Sequence, residues 1–486
     1  MNDKQLNHSL TAFLFSNIMV GLEGTILATA LPSMMAQLHG ISLMSWVITI
    51  YMLMMSVSAP IWTKLSERFG YKRLFLIGTA LFTLASALEG LSVNMPMLII
   101  ARLIMGIGAG AMQQLPFVIY GILLNTEKRR RATGNAISAY SLSAVIAPII
   151  GGLIVDNLGW RWVFFINIPI GLLMMLAVAR NFHPDFQAHK KPIDFAGTST
   201  LSLGVISLML ALQFLGTAKP NLPLILILFI LSIILLTSFW QIEKRAKDPI
   251  VPLTLFKEKS YMFKNLLMFL IYGFFGFYSN YLPTWGQGIL GKTAFIGGLI
   301  LIPSSIFLVI GSQIATRLAQ QIGEKRLTIA GSVLMLLGAI ILFLTPQVAS
   351  FSILLLIAGI LGFSTGISST TLQVGIQESV TSELIGAATA LNALIRTLGT
   401  TLILSGLSVS LNRTFSTAIT KNHKFNFTLI NQISDSEAVK HLPHALITPL
   451  RHVLFNGLHS LALIGTLILC LALIVNIIDP WTKKSA

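Results

Sequence analysis

Runs of about twenty apolar residues, repeated along the chain, limit what this sequence can fold into more than any other feature. A helix rises about 1.5 Å per residue, so about 20 residues cross a hydrocarbon core about 30 Å thick. Fourteen such runs can be marked, at 10–31, 44–63, 74–92, 97–122, 133–156, 162–180, 195–217, 222–240, 263–285, 295–318, 327–345, 351–374, 385–410 and 454–478. All are too long for barrel strands, which cross in about 10 residues. Lipid offers no partner to an open backbone N–H or C=O, so each run is expected to be a helix. The expected class is an all-α membrane protein. A water-soluble enzyme or binding domain is excluded, because 54% of the 486 residues are hydrophobic and only 10% are charged. The first run is long enough to span and no small-residue cleavage site follows it, so it is read as a retained helix and not a signal peptide.

Basic residues set the orientation. Of 33 Lys and Arg, 23 fall in segments on the face shared with the N-terminus, eight on the opposite face, five of these in the long segment 412–453, and two, Arg102 and Arg396, within runs. Positive residues mark the cytoplasmic side, so both termini are expected inside. The net charge of +16 is then an orientation signal reinforced by anionic lipid, and no nucleic-acid partner is implied. One cysteine, Cys470, can form neither an internal disulfide nor a thiol metal site. His441, His444 and His452 lack acidic or Cys partners at ligand spacing, so no metal is expected.

Within the first run stands one carboxylate, Glu23. An ionisable group at that depth is costly unless neutral, paired or facing water, and marks a functional site by default. A structural Glu holding helices together is the alternative. Counting about 1.5 Å per residue from the helix ends puts Glu23 and Arg102, in the fourth run, in one layer. Glu89, near the outer end of the third run, is a weaker candidate for the same role and is placed at the interface instead. The chain also repeats itself. TKLSERFGYKRL (Thr63–Leu74) follows the second run and TRLAQQIGEKRL (Thr316–Leu327) follows the tenth. If the seventh and eighth runs are an insertion, the plan is six helices, two, and six. This gives residues 1–192, 193–241 and 242–486, the last with an extracellular loop at 412–453. Weak internal symmetry of this kind points to a transporter with its site between the repeats.

Five stretches carry a family resemblance: LEGTILATALP (22–32), LSERFGYKR (65–73), ARLIMGIGAGAM (101–112), SAVIAPIIGG (143–152) and GWRWVFFINIPIG (159–171). With these the chain resembles the fourteen-helix drug:proton antiporters of the major facilitator superfamily. The resemblance implies the major facilitator fold and a monomeric, bacterial cell-membrane protein. It also implies proton-driven export of small amphipathic, often cationic compounds through the lipid bilayer, with no cofactor. Residue by residue, it implies that Glu23 and Arg102 couple protons. Glu67, Arg68, Gly70, Lys72 and Arg73 form a cytoplasmic latch in which a carboxylate meets a helix N-terminus, a plain positive-inside anchor being the other reading. Ser143, Ala147, Pro148, Gly151 and Gly152 form the antiporter-motif helix, which serves either as a hinge or as a small-residue packing seam.

Candidate substrate contacts are Glu23, Gln113, Gln114, Tyr272, Tyr278 and Arg396. Ring faces can hold lipophilic cations, whereas Tyr281 and Trp285, near a helix end, are expected in the interfacial belt. PHALITPLRHVLF (443–455) is amphipathic and suits the membrane surface. ATP is not argued as the energy source, and no arrangement of catalytic residues suggests an enzyme. Export of a single endogenous lipid-like or metabolite substrate is the second reading. A receptor or sensor on a transporter scaffold is a third, of another class.

Overall fold

The computed structural model describes residues 3–38, 44–184, 194–216, 220–246, 249–422, 425–433, 439 and 442–478. His441, Lys483 and the 192/193 boundary lie outside them. Among the described residues there is no strand. The helices are α1 (Asp3–Leu38), α2 (Met44–Phe69), α3 (Tyr71–Gly90), α4 (Met95–Leu123), α5 (Thr126–Leu158), α6 (Trp162–Phe165), α7 (Asn167–Asn181), α8 (Phe195–Leu215) and α9 (Leu222–Glu243). They continue as α10 (Lys259–Thr284), α11 (Ala294–Leu299), α12 (Leu301–Ile322), α13 (Glu324–Leu344), α14 (Phe351–Glu378), α15 (Ile385–Lys421), α16 (Phe427–Gln432) and α17 (His444–Ile478). Thirteen segments among the described residues are long and apolar enough to cross a membrane, and the 33-residue α5 supplies the fourteenth crossing. Starts are set locally. Asn94 accepts from Met97 N and Asn125 from Lys128 N, covering helix-end donors that have no intrahelical partner.

The packing order repeats. α1 lies on α5, α2 and α3 on α4, and α3 on α7; in the same order α10 lies on α15, α12 and α13 on α14, and α13 on α17. The two sets meet through symmetry-related pairs, α5 with α12 and α2 with α15, while α8 and α9 form a hairpin resting on α15 and α2. Gly70 precedes α3 with φ +93° and Gly323 precedes α13 with φ +85°. Both repeated loop sequences therefore turn through the left-handed region, which only glycine enters without strain.

Several helices run further than their apolar runs, three of them with consequences for the ends of the chain and the long outer segment. α1 begins at Asp3, α15 continues to Lys421 and α17 starts at His444. The stretch 443–455 is thus mostly the start of the last crossing and not a separate surface helix: Leu450 and Leu454 are buried in the core of the second set. The tenth crossing is broken into α11 and α12, preceded by a π-type turn at Trp285–Ile289.

The described hydrogen bonds and ion pairs between the two sets lie from mid-depth to the end bearing the 63–74 loop, here called the basic end. At mid-depth Ser56 Oγ donates to Thr397 Oγ1 at 3.2 Å. Nearer the basic end Ser312 Oγ donates to Gly134 O at 3.1 Å, Gln313 Nε2 to Asn135 Oδ1 at 2.8 Å and Gln377 Nε2 to Phe117 O at 3.0 Å. Arg130 pairs with Glu324, and Arg129 lies 3.6 Å from Glu378. Burial lowers the Arg129 pKa from its ordinary value, and Glu378 opposes that shift. The sets are therefore sewn together at the basic end.

Candidate functional site

Glu23, on α1, reaches across to α4 and α7. Arg102 Nη1 donates to Glu23 Oε1 at 2.6 Å, the short length of a charge-assisted bond. Asn167, the first residue of α7, donates through Nδ2 to Glu23 Oε2 at 3.0 Å, and the same nitrogen lies 3.0 Å from Ser86 Oγ of α3. Ser86 Oγ donates to Phe164 O at 2.8 Å, which fixes that side of the site. Arg102 Nε donates to Val47 O at 3.2 Å, and its guanidinium stands 4.8 Å from the centre of the Tyr51 ring. Gly106, one turn beyond Arg102, allows that stacking, since a Cβ there would lie 2.6 Å from the Tyr51 carbonyl oxygen.

Glu89 joins the same group, a correction to its placement at the interface. Its Oε2 is 3.7 Å from Arg102 Nη1, and neither of its oxygens has a hydrogen-bond partner. Glu23 and Arg102 are 1% exposed and Glu89 0%. Reading the sequence alone missed Asn167, Ser86 and Tyr51, and kept Glu89 only as a weaker candidate. The signal for Asn167 was present, a lone amide in the apolar part of GWRWVFFINIPIG. Such an arrangement can hold or release a proton and has the form of neither a nucleophile–base pair nor a paired-acid hydrolase site.

The antiporter-motif residues lie against α1. A Cβ on Gly21 would collide with Ser143 Oγ and the Tyr140 carbonyl, and Ser143 Oγ donates to Tyr140 O at 2.7 Å. Ala147 and Gly151 are buried, Gly152 has open space beside it, and α5 runs unbroken through position 148. The Pro148 side chain lies outside the described residues.

The proposed substrate contacts divide. Arg396 Nη1 donates to Tyr272 Oη at 3.2 Å, its guanidinium is 5.0 Å from that ring's centre, and its Nε is buried without a partner. Tyr140 of α5 lies within electrostatic range of both, so this group stands where the two sets meet. Gln114 is buried with Nε2 unpartnered, and Gln113 is half-buried. Tyr278 is packed inside the second set and shares a 3.2 Å hydrogen bond with Ser304. Tyr281 Oη shares one of 3.1 Å with Ser408, and Trp285 is buried edge-on to Phe455. These last two pack within the protein rather than forming an interfacial belt.

At the basic end, Glu67 lies beside the start of α15. Its Oε1 is 2.6 Å from where a Cβ on Gly386 would stand, and Lys64 Nζ is 3.5 Å from its other oxygen. Lys72 Nζ donates to Ala179 O at 2.7 Å and sits 3.0 Å from His183 Nε2. Arg68 stacks on Phe69 at 5.5 Å, and Arg73 is exposed.

Two pseudo-equivalent six-helix sets face each other, and the first of them encloses the buried carboxylate–guanidinium cluster. The Major Facilitator Superfamily profile matches residues 13–403, and the chain belongs to that family, whose members are transporters and not enzymes. It is 35% identical over 405 residues to the multidrug transporter protein MdtP of Bacillus subtilis, covering 83% of this chain and 75% of the relative. It is 32% identical over 389 residues to multidrug resistance protein 3 of the same organism, covering 79% and 75%. The crystal structure of the human organic anion transporter MFSD10 superposes with a TM-score of 0.61 over 95% of this chain and 99% of that one, at 14% identity, a likeness of fold.

Proposed function

We propose that this chain is a proton-coupled antiporter that exports amphipathic, often cationic drugs or toxic compounds by alternating access. The observation that carries the proposal is the Glu23–Arg102–Asn167 cluster: a carboxylate sealed in the membrane and held by donors, with a proton as its natural cargo. The names of the two Bacillus subtilis relatives support export of many compounds. The proton gradient supplies the energy, with no cofactor. The protein works as a monomer in a bacterial cell membrane, both termini in the cytoplasm. Its two six-helix halves, 1–192 and 242–486, rock around the site, with 193–241 as an insertion. With the basic end inside, the closed inner contacts make this the state shut to the cytoplasm. Arg396, Tyr272, Gln113 and Gln114 meet the substrate, and Tyr278 backs them.

A second reading, export of one lipid-like substrate, is favoured by Arg396. The second half carries no carboxylate within its runs, so an anionic head group suits that guanidinium. The test is a panel of amphiphiles, matched in chain length and carrying either an ammonium or a carboxylate, offered to proteoliposomes under an imposed pH gradient. Proton-dependent flux of several unrelated cations is the expected result. Flux of one compound alone selects the second reading, and binding without flux selects a receptor.

The latch is tested at Glu67, whose carboxylate beside the α15 N-terminus holds the halves together at the inner face. With Cys470 replaced by Ser, a reporter cysteine at Ser138, between α5 and α12, should be labelled several-fold faster from the cytoplasmic side in Glu67→Ala. Unchanged labelling would make the loop an anchor only.

A further inference from the structure

Glu23, Glu89 and Arg102 place two acids and one base in a space nearly closed to water. With both carboxyls ionised the group would carry a net negative charge. The surroundings do not cancel it. Glu89, on α3, is faced by Arg102 from α4, Glu23 from α1 and Tyr51 from α2; α7 offers the neutral Asn167. Arg161, at the start of α6, is turned instead to Gln37 Oε1 at 2.9 Å and Ser92 O at 3.2 Å. An unbalanced charge is the costliest state open to a dry site, and one bound proton removes it.

The two carboxyls differ in their hydrogen bonding. Both Glu23 oxygens accept a hydrogen bond, from Arg102 at 2.6 Å and Asn167 at 3.0 Å, as an ionised carboxylate requires. The Glu89 oxygens accept none. We infer that Glu89 carries the proton in this conformation, and that Glu89 and Glu23 share a single proton by passing Arg102 between them. When a proton arrives on Glu23, the guanidinium exchanges its 2.6 Å partner for Glu89, now 3.7 Å away. Glu89 then ionises and releases its own proton. One proton enters and one leaves, and the cluster is neutral before and after the exchange. The transport step rests on the coupling proposed above; the shared proton does not.

The test is infrared spectroscopy of the full chain in lipid at neutral pH, read as wild type minus variant in the carbonyl-stretch region of a protonated carboxyl. Glu89→Gln should lose one such band. Glu23→Gln should lose the same band although Glu89 is untouched, because Arg102 then has only Glu89 to pair with and the acid ionises. Persistence of the band in Glu23→Gln, or its absence from the wild-type minus Glu89→Gln difference, overturns the inference. Should Glu89→Gln not fold, Glu89→Asp takes its place: the band should then shift in frequency, and an unshifted band would overturn the inference. If the infrared pattern holds and no proton-coupled flux is found, the transport reading fails and the shared proton stands.

Discussion

Glu23→Gln is expected to abolish proton-driven export, by about 100-fold or more, the scale on which a single proton-transferring group contributes, while the protein still folds and reaches the membrane. Glutamine matches glutamate in shape and keeps one acceptor for Arg102 or Asn167. What it removes is the capacity to bind and release a proton. Arg102 need not be stranded, since Glu89 lies 3.7 Å from its Nη1 and can take over as counter-charge. Folding and coupling should therefore separate in this variant. Flux per folded molecule in everted vesicles checks it, and wild-type proton-coupled flux would remove Glu23 from the mechanism.

Arg102→Met should be more damaging to the protein as a whole. Met fills part of the volume and supplies no charge, so two buried carboxyls lose their cation, the Val47 carbonyl its donor and the Tyr51 ring its stacking partner. Removing one member of a buried ion pair costs about 3–5 kcal/mol, which should show as a marked drop in thermal unfolding temperature. In whatever fraction folds, the positive charge that favours the ionised carboxylate is gone, so the pH profile of transport should move upward; one unit corresponds to about 1.4 kcal/mol. A double-mutant cycle with Glu23→Gln gives the coupling. Strict additivity with no pH shift would leave Arg102 as a packing residue.

The helices were legible because length and apolarity are local properties. Where the expectation fell short, the cause was polar sequence continuing a helix beyond the hydrocarbon core, as in α15 beyond 410 and α17 before 454. Depth was legible too, since counting residues put Glu23 and Arg102 in one layer. Direction around the helix axis was not, and contact depends on it. Glu89 shows the limit most clearly. One residue before the end of α3, it reads as interfacial by depth, yet α6 folds over that end, with Gly90 against the Phe165 ring and Ser86 bonded to Phe164, and seals Glu89 inside. Asn167 was visible in a family signature, but its use as a second donor to Glu23 depends on α7 crossing α1. Tyr281 and Trp285 were aromatic and near a helix end, which suits a lipid interface; the neighbouring α15 and α17 cover them instead.

The most direct test of the central claim is to run the exchange backwards. In proteoliposomes with equal pH on both sides, an outward gradient of a transported amphiphilic cation should drive protons inward against no pH difference, seen as internal acidification that a protonophore abolishes and Glu23→Gln lacks. Movement of the cation with no change in internal pH would show that transport is uncoupled from protons and would contradict the account.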